Sequence, residues 1–287
     1  MMLRRWVHLI TVGASIAQNA LRMGVDSLGE LDIGDLGGLE EALGSGVLSL
    51  EELAEELFKV VLESPKAMSA ELNTCLDVLK EGFELRRVQL IYLFHTDTWI
   101  GRLCGGVLYR FFEEVSVRDF DGLVACQEPV EVEGLGDSMR FREGLANLLG
   151  LIAEYIASFK EMGDRVLIHA TGGFKPESAM ALLAANLPGL GAPVLYIHEY
   201  FREVVRIPAI PLSPRLERVF GGLMDRVLQV DRAYRGQLER EFGGDLVDEA
   251  IKLGWLIEDG EYIKPSRMGV LIWRRLPRLK RRRLKRR

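Results

Sequence analysis

Apolar positions along the chain fall into short solid runs separated by longer stretches with helical spacing. The runs WVHLITV (6–12), VQLIYLF (88–94), DRVLIHA (164–170) and APVLYIHE (192–199) are compact and rich in β-branched and aromatic residues, as strands buried on both faces require. The first three each open into a turn and then a helix-spaced stretch: through Met23 after Gly13-Ala14-Ser15, from Trp99 to about Glu114 after His95-Thr96-Asp97-Thr98, and over SAMALLAANL after TGGFKPE. Leu28 to Gly82 reads as helical, with Ser49 and Glu52 spaced as a capping box and Pro65 opening a further helix. The Glu-, Gly- and Val-rich stretch 115–134 reads as strands or a hairpin, ahead of a long helix from about Ser138 to Met162. Alternating buried strands and helices predict an α/β fold, a Rossmann-like parallel sheet with helices on both faces.

The proline-punctuated IPAIPLSP (207–214) closes that unit, so the expected division is a ligand-binding domain over 1–212, a small domain over 213–273 and a tail over 274–287. In the small domain, helices are expected near 215–228, 231–242 and 245–253, before WLIEDGEYIKP with Asp259-Gly260 as a hairpin turn. Three helices and a hairpin make a winged helix-turn-helix-like arrangement.

Charge changes this picture at one end only. Ten of the 37 basic residues lie in the last fourteen positions, so the remainder sets 27 bases against 42 acids. An acidic body with a basic arm allows nucleic-acid contact by the tail, or a plainly solvated tail. The cysteines Cys75, Cys104 and Cys126 are odd in number and show no CxxC spacing, which predicts neither a disulfide framework nor a zinc site and fits a reducing cytoplasm. The apolar start is short and broken by His8, and the segment 144–159 carries Glu154, so neither a signal peptide nor a membrane span is expected.

Candidate chemistry lies where the strands end. Gly13-Ala14-Ser15 and Thr171-Gly172-Gly173-Phe174-Lys175 occupy the same topological place, after a buried strand and at the mouth of a helix. Helix-start N–H groups favour an anion, the hydroxyls of Ser15 and Thr171 add donors, and Lys175 adds a charge suited to phosphate. Neither turn is a dinucleotide fingerprint or a Walker motif, so nicotinamide and ATP binding are not supported and no cofactor is expected. Each turn alone is equally well a plain turn or a helix cap. No His/Asp/Glu ligand set is evident in the sequence. His169 and His198, near strand ends, could aid proton transfer but equally suit a hydrogen-bonded core.

The wording of GASIAQN after the first strand, HTDTWIG after a middle strand, and IHATGGFKPESAM followed by PVLYIHEYFREVVRIPAIPL resembles the CARF family of CRISPR-associated proteins, and within it the ring-nuclease branch. The resemblance spans 6–212 in pattern; 24–85 and 113–140 add little to it. It implies a homodimer in which the paired turns face each other across a two-fold axis around cyclic tetra-adenylate. By position, Ser15 and Lys175 match the family's catalytic serine and lysine, and Asn19 the asparagine closing the first motif. Gly13, Ala14, Thr171, Gly172, Gly173 and Phe174 match the ligand-facing turns, and Thr96, Asp97 and Thr98 a less uniform third motif. The implied reaction is metal-free: a ribose 2′-hydroxyl attacks the neighbouring phosphorus and leaves a 2′,3′-cyclic phosphate. No histidine follows His198, so the family's ribonuclease domain with its arginine and histidine pair is not expected, and Glu261 and Lys264 are misplaced for a PD-(D/E)xK nuclease. The alternative is a ligand-responsive transcription regulator, although GDLVDEAIKLG is acidic for a recognition helix.

Overall fold

The structure, a computed structural model, describes residues 5–30, 35–172, 175–187, 192, 194–197, 204–207, 214–252, 255–266, 269–270 and 273–274. The chain opens with β1 (Trp6–Thr11), α1 (Ser15–Met23), α2 (Asp26–Glu30), α3 (Leu36–Gly44), α4 (Leu50–Glu63), α5 (Pro65–Met68) and α6 (Ala70–Glu84). There follow β2 (Gln89–Thr96), α7 (Trp99–Phe120), β3 (Val124–Cys126), β4 (Val130–Val132), α8 (Phe141–Glu161), β5 (Arg165–His169), α9 (Lys175–Ala185), β6 (Val194–Ile197) and β7 (Val204–Ile207). The remainder is α10 (Pro214–Val230), β8 (Ala233–Tyr234), α11 (Arg235–Phe242), α12 (Gly244–Lys252), β9 (Leu256–Asp259) and β10 (Tyr262–Pro265).

The main sheet runs β3-β2-β1-β5-β6-β7, with β4 also pairing β2; its strands are parallel except for the edge pair β6 and β7. β1 is buried along its whole length, which explains its unbroken apolar run. Val7 and Leu9 belong to the apolar core with α8 and α9, whereas Ile10 packs with α1, α3, α4, α6 and α7. The chain moves outward from β1 to β2 and β3, then returns to the other side of β1 at β5. The carboxyl ends of β1 and β5 therefore flank the switch point of the sheet, where open α/β sheets form a ligand crevice.

Two details differ from the sequence reading. The stretch 115–134 is neither a hairpin nor strand throughout: α7 continues to Phe120, and β3 and β4 each pair in parallel with β2 rather than with each other. Val115 and Val117 imitate strand alternation, but Phe111, Phe112, Val115 and Phe120 are buried at helical spacing while Val117 is exposed. In the C-terminal segment, β8, β10 and β9 form a separate antiparallel sheet, and Gly260 turns the β9–β10 hairpin with a φ of 66°. Trp273 is buried there, donates its indole N–H to Asp225 at 2.9 Å and meets Trp255 edge-on. Among the described residues no helix is long and apolar enough to cross a membrane.

One close approach shapes the sheet edge. A Cβ at Gly144 of α8 would lie 2.4 Å from the carbonyl carbon of Gly134 and from the Leu135 nitrogen, so only glycine admits the 134–136 loop against that helix. Gly144→Ala is expected to destabilise the protein by about 1–3 kcal/mol, as overpacking does. Gly106→Ala in α7, where nothing lies within 4 Å, should instead stabilise it by about 0.5–1 kcal/mol. Thermal unfolding of the two variants checks the contrast, and a Gly144→Ala protein as stable as wild type would contradict the packing.

Candidate functional site

β1, β2 and β5 end side by side, and each delivers one of the expected turns. The register pairs Ile10 with Leu93 and with His169, so the turns after the three strands emerge at one level, about 4.8 Å apart from strand to strand. A pocket of ≈ 340 Å³ opens at this edge beside Gly13, Ala14, Thr96, Thr98, Gly136 and Glu177.

Donors at the turns after β1 and β2 are held by carboxylates of the protein itself, as is the 134–136 loop beside them. Glu71, in the first turn of α6 and 1% exposed, accepts the Gly13 N–H at 2.7 Å, the Ser15 hydroxyl at 2.8 Å and the Ser69 hydroxyl at 2.7 Å. Gly172 is the glycine this arrangement needs: a Cβ there would lie 2.0 Å from Glu71 Oε1 and 2.4 Å from the Thr11 carbonyl oxygen. At the end of β2, Glu40 of α3 accepts the N–H groups of Trp99 and Ile100 at 2.8 and 2.9 Å. Asp97 accepts those of Gly134 and Gly136 at 2.7 and 2.6 Å. Burial works to raise the Asp97 carboxyl, but the bonds from Gly136 and Gly134 outweigh it and hold the group below its ordinary value.

The start of α1 is likewise engaged. Ser15, its first residue, gives its hydroxyl proton to Glu71 and accepts the Ala70 N–H at 3.1 Å, and burial pushes the Cys104 thiol up to about 12. The sequence expects open donors at this turn for a ligand; in the structure the Gly13 N–H and the Ser15 hydroxyl are spent internally.

The other expected residues divide by role. Asn19 donates to the carbonyls of Ala67 and Met68 at 3.1 and 3.0 Å and so ties α1 to α5. Thr98 caps α7, accepting the Gly101 N–H at 2.9 Å, and shares a hydrogen bond of 2.7 Å with Thr96. Thr171 shares a short hydrogen bond with Thr74 of α6, and the Gly172 carbonyl accepts from Thr11 at 2.8 Å. Ala14 lines the pocket, and Lys175 is the first residue of α9. Gly173, Phe174 and His198 lie outside the described residues. Glu71, Ser69, Thr74 and Glu40 were not singled out by the sequence, since their partners lie in segments far from them along the chain.

Beneath the turns runs a buried polar chain. Gln89 donates its amide to the Leu79 carbonyl at 2.9 Å, so its Oε1 faces His8 Nε2 at 3.1 Å and takes that proton. His8 Nδ1 is then a bare acceptor for His169 Nε2–H at 2.9 Å. With Cys75, these histidines bring three potential ligand atoms within 4.8 Å of one another, a cluster that the sequence does not reveal. The facing nitrogens of His8 and His169 are already spent on each other, so the arrangement acts as a hydrogen-bond chain that satisfies polar groups inside the core. His169 thus sits in the core rather than on the ligand side.

Solved structures similar to this chain include protein VC1899 from Vibrio cholerae, at 9% sequence identity and a TM-score of 0.32, over 94% of this chain and 65% of that one. The chain thus spans less than two thirds of that protein's length.

The buried histidine gives a pH prediction. Burial drives His8 down to about 4 against the opposing bond to Gln89, whereas the unfolded chain takes up that proton near the ordinary value of about 6.5. The contribution to stability is complete above the unfolded value and is lost as pH falls toward 4. Between pH 7 and pH 5 it should amount to about 2 kcal/mol. Urea unfolding at the two pH values measures it, and a His8→Gln variant should show a smaller difference; equal slopes in both proteins would contradict the assignment.

Residues 66–210, from α5 through the turns after β2 and β5 to the end of the main sheet, match the family of the description "CRISPR-associated protein (Cas_APE2256)". That match takes in half of the chain, and the protein belongs to this CRISPR-associated family.

Proposed function

We propose that the protein is a ring nuclease of CRISPR signalling. As a homodimer it binds cyclic tetra-adenylate and cleaves it to linear di-adenylate ending in a 2′,3′-cyclic phosphate. The observation that carries this reading is the placement of Ser15 and Lys175 at the starts of α1 and α9, the helices that follow the two central, adjacent parallel strands. That is the switch point of the sheet, and one subunit offers it a serine and a lysine, half of what a two-fold symmetric ring of four phosphodiesters would meet.

In the proposed reaction Lys175 stabilises the charge that develops on the phosphorane, and the turns position the ribose for in-line attack. No metal is required of these residues. The charge of the surroundings sharpens the role of Lys175: with Glu71, Asp97 and Glu40 on backbone donors beside the turns after β1 and β2, attraction for a polyanion leans on the β5 turn with this cation and on its copy in the second subunit.

The order helix, strand, two helices, hairpin over 214–265 fits a winged helix and favours the second reading, a cyclic-oligoadenylate-responsive transcription regulator without cleavage. Against it, Asp245 and Asp248 lie on α12, and Asp248 is the carboxylate partner of Arg235 at 2.6 Å. The basic tail beyond Arg274, which would have to supply DNA affinity, lies outside the described residues.

Pure protein incubated with cyclic tetra-adenylate and EDTA should yield linear di-adenylate, resolved by chromatography, and light scattering should report a dimer. Lys175→Ala should weaken binding by about 1.5–3 kcal/mol and slow single-turnover cleavage by more than that. Ser15→Ala should damage the rate more than the affinity. Tight binding without any product would overturn the nuclease reading in favour of the regulator.

A further inference from the structure

We infer that Glu71 is the residue behind Ser15 in the cleavage step: a positioning residue that holds the Ser15 hydroxyl proton on the protein side and takes it over when Ser15 receives a proton from the ribose 2′-hydroxyl. The inference rests on the ring-cleavage reading above. It starts from a carboxylate in an unusual place. Glu71 is 1% exposed, and the hydrogen bonds it accepts come from three neutral donors, Gly13 N–H, Ser15 Oγ–H and Ser69 Oγ–H. Burying a carboxylate is costly without compensation, and capping α6 does not call for it, because Ser69 already accepts the Leu72 N–H at 3.2 Å. The side chain instead reaches across to a turn 56 residues earlier in the chain, and Gly172 leaves the room it occupies.

The consequence lies in the hydrogen-bond inventory of Ser15. A serine hydroxyl has one proton and two lone pairs. The proton is given to Glu71 at 2.8 Å, and one lone pair accepts the Ala70 N–H at 3.1 Å. What Ser15, itself half-buried, has left for a ligand is a single lone pair. It can accept from a hydroxyl but has no proton to offer a phosphate oxygen. On the sugar-phosphate ring of a cyclic oligoadenylate, apart from the adenine amino groups at its periphery, the donor to meet it is the ribose 2′-hydroxyl, the attacking group.

The step then balances. The 2′-oxygen forms its bond to phosphorus as its proton passes to Ser15 Oγ, and the Ser15 proton passes to Glu71 Oε2. The bond from phosphorus to the 5′-oxygen breaks, and that oxygen takes a proton from water. Glu71 later returns its proton to solvent through Ser15, so no proton is gained or lost overall.

The test is single-turnover cleavage of cyclic tetra-adenylate, with separate equilibrium binding, for wild type, Ser15→Ala, Glu71→Gln and the double variant. Glutamine keeps the size of the side chain but accepts no proton. Glu71→Gln should bind within a few-fold of wild type and cleave about 10²-fold more slowly, the usual lower range for a lost general base. The double variant should be no slower than Ser15→Ala, because the two residues act as one unit. Wild-type cleavage by Glu71→Gln, or additive losses in the double variant, would overturn the inference while a slow Ser15→Ala still upholds ring cleavage. Absence of cleavage by wild type would overturn both. Should Glu71→Gln fail to fold, the wild-type rate in mixtures of light and heavy water decides: two coupled protons give a curved dependence on deuterium content, and a straight line contradicts the relay.

Discussion

The carboxylate of Glu71 on the β1 turn is the contact on which the working edge of this protein depends. It joins α6 to the loop between β1 and α1 through Gly13 and Ser15, and it sets how closely Gly172 can approach. Thr11 and Thr74 then fix the β5 turn to the same structure through Gly172 and Thr171. Two loops from distant parts of the chain are thereby registered against each other at the switch point of the sheet. Glu40 and Asp97 repeat the device at the end of β2. Charge-assisted bonds from backbone N–H groups to carboxylates are shorter and stronger than neutral ones, so the edge is rigid before any ligand arrives.

This organisation has a functional consequence. A turn whose N–H groups are occupied by an internal anion is not an open phosphate cradle, and the acids lower the local potential that a polyanion would meet. In the proposed ring nuclease, affinity would then come from Lys175, from the second subunit and from hydroxyl contacts, and the one open lone pair of Ser15 would select a hydroxyl donor. Preorganisation rather than raw attraction is what such a site offers, which suits a reaction that needs alignment of a 2′-oxygen with phosphorus more than it needs a metal or a strong base.

The sequence was a good guide wherever local periodicity decides. The solid runs at 6–12, 88–94 and 164–170 are β1, β2 and β5, and their parallel pairing follows from the helices between them. It misled at Val115 and Val117, β-branched residues at alternate positions in the last turns of α7, where burial of Val115 in one core with Phe111 and Phe112 overrides the strand preference and leaves Val117 exposed. The site was legible only in part. Gly13, Ser15, Thr171 and Gly172 could be found from strand ends, but their partners could not. Glu71 looks like any first-turn helix acid, and His8 and His169 like any strand residues, because the contacts that give them meaning span 56 to 161 positions of chain. The family match to 66–210 supplies the CRISPR association that no spacing argument provides.

The central claim is that the ring sits over the carboxyl ends of β1, β2 and β5. Photo-crosslinking with cyclic tetra-adenylate carrying azido-adenine, followed by peptide mapping by mass spectrometry, tests it directly. The account predicts adducts in the peptides around 13–19, 96–101 and 171–175, competed away by unmodified ring. Adducts confined to 214–274 would contradict it.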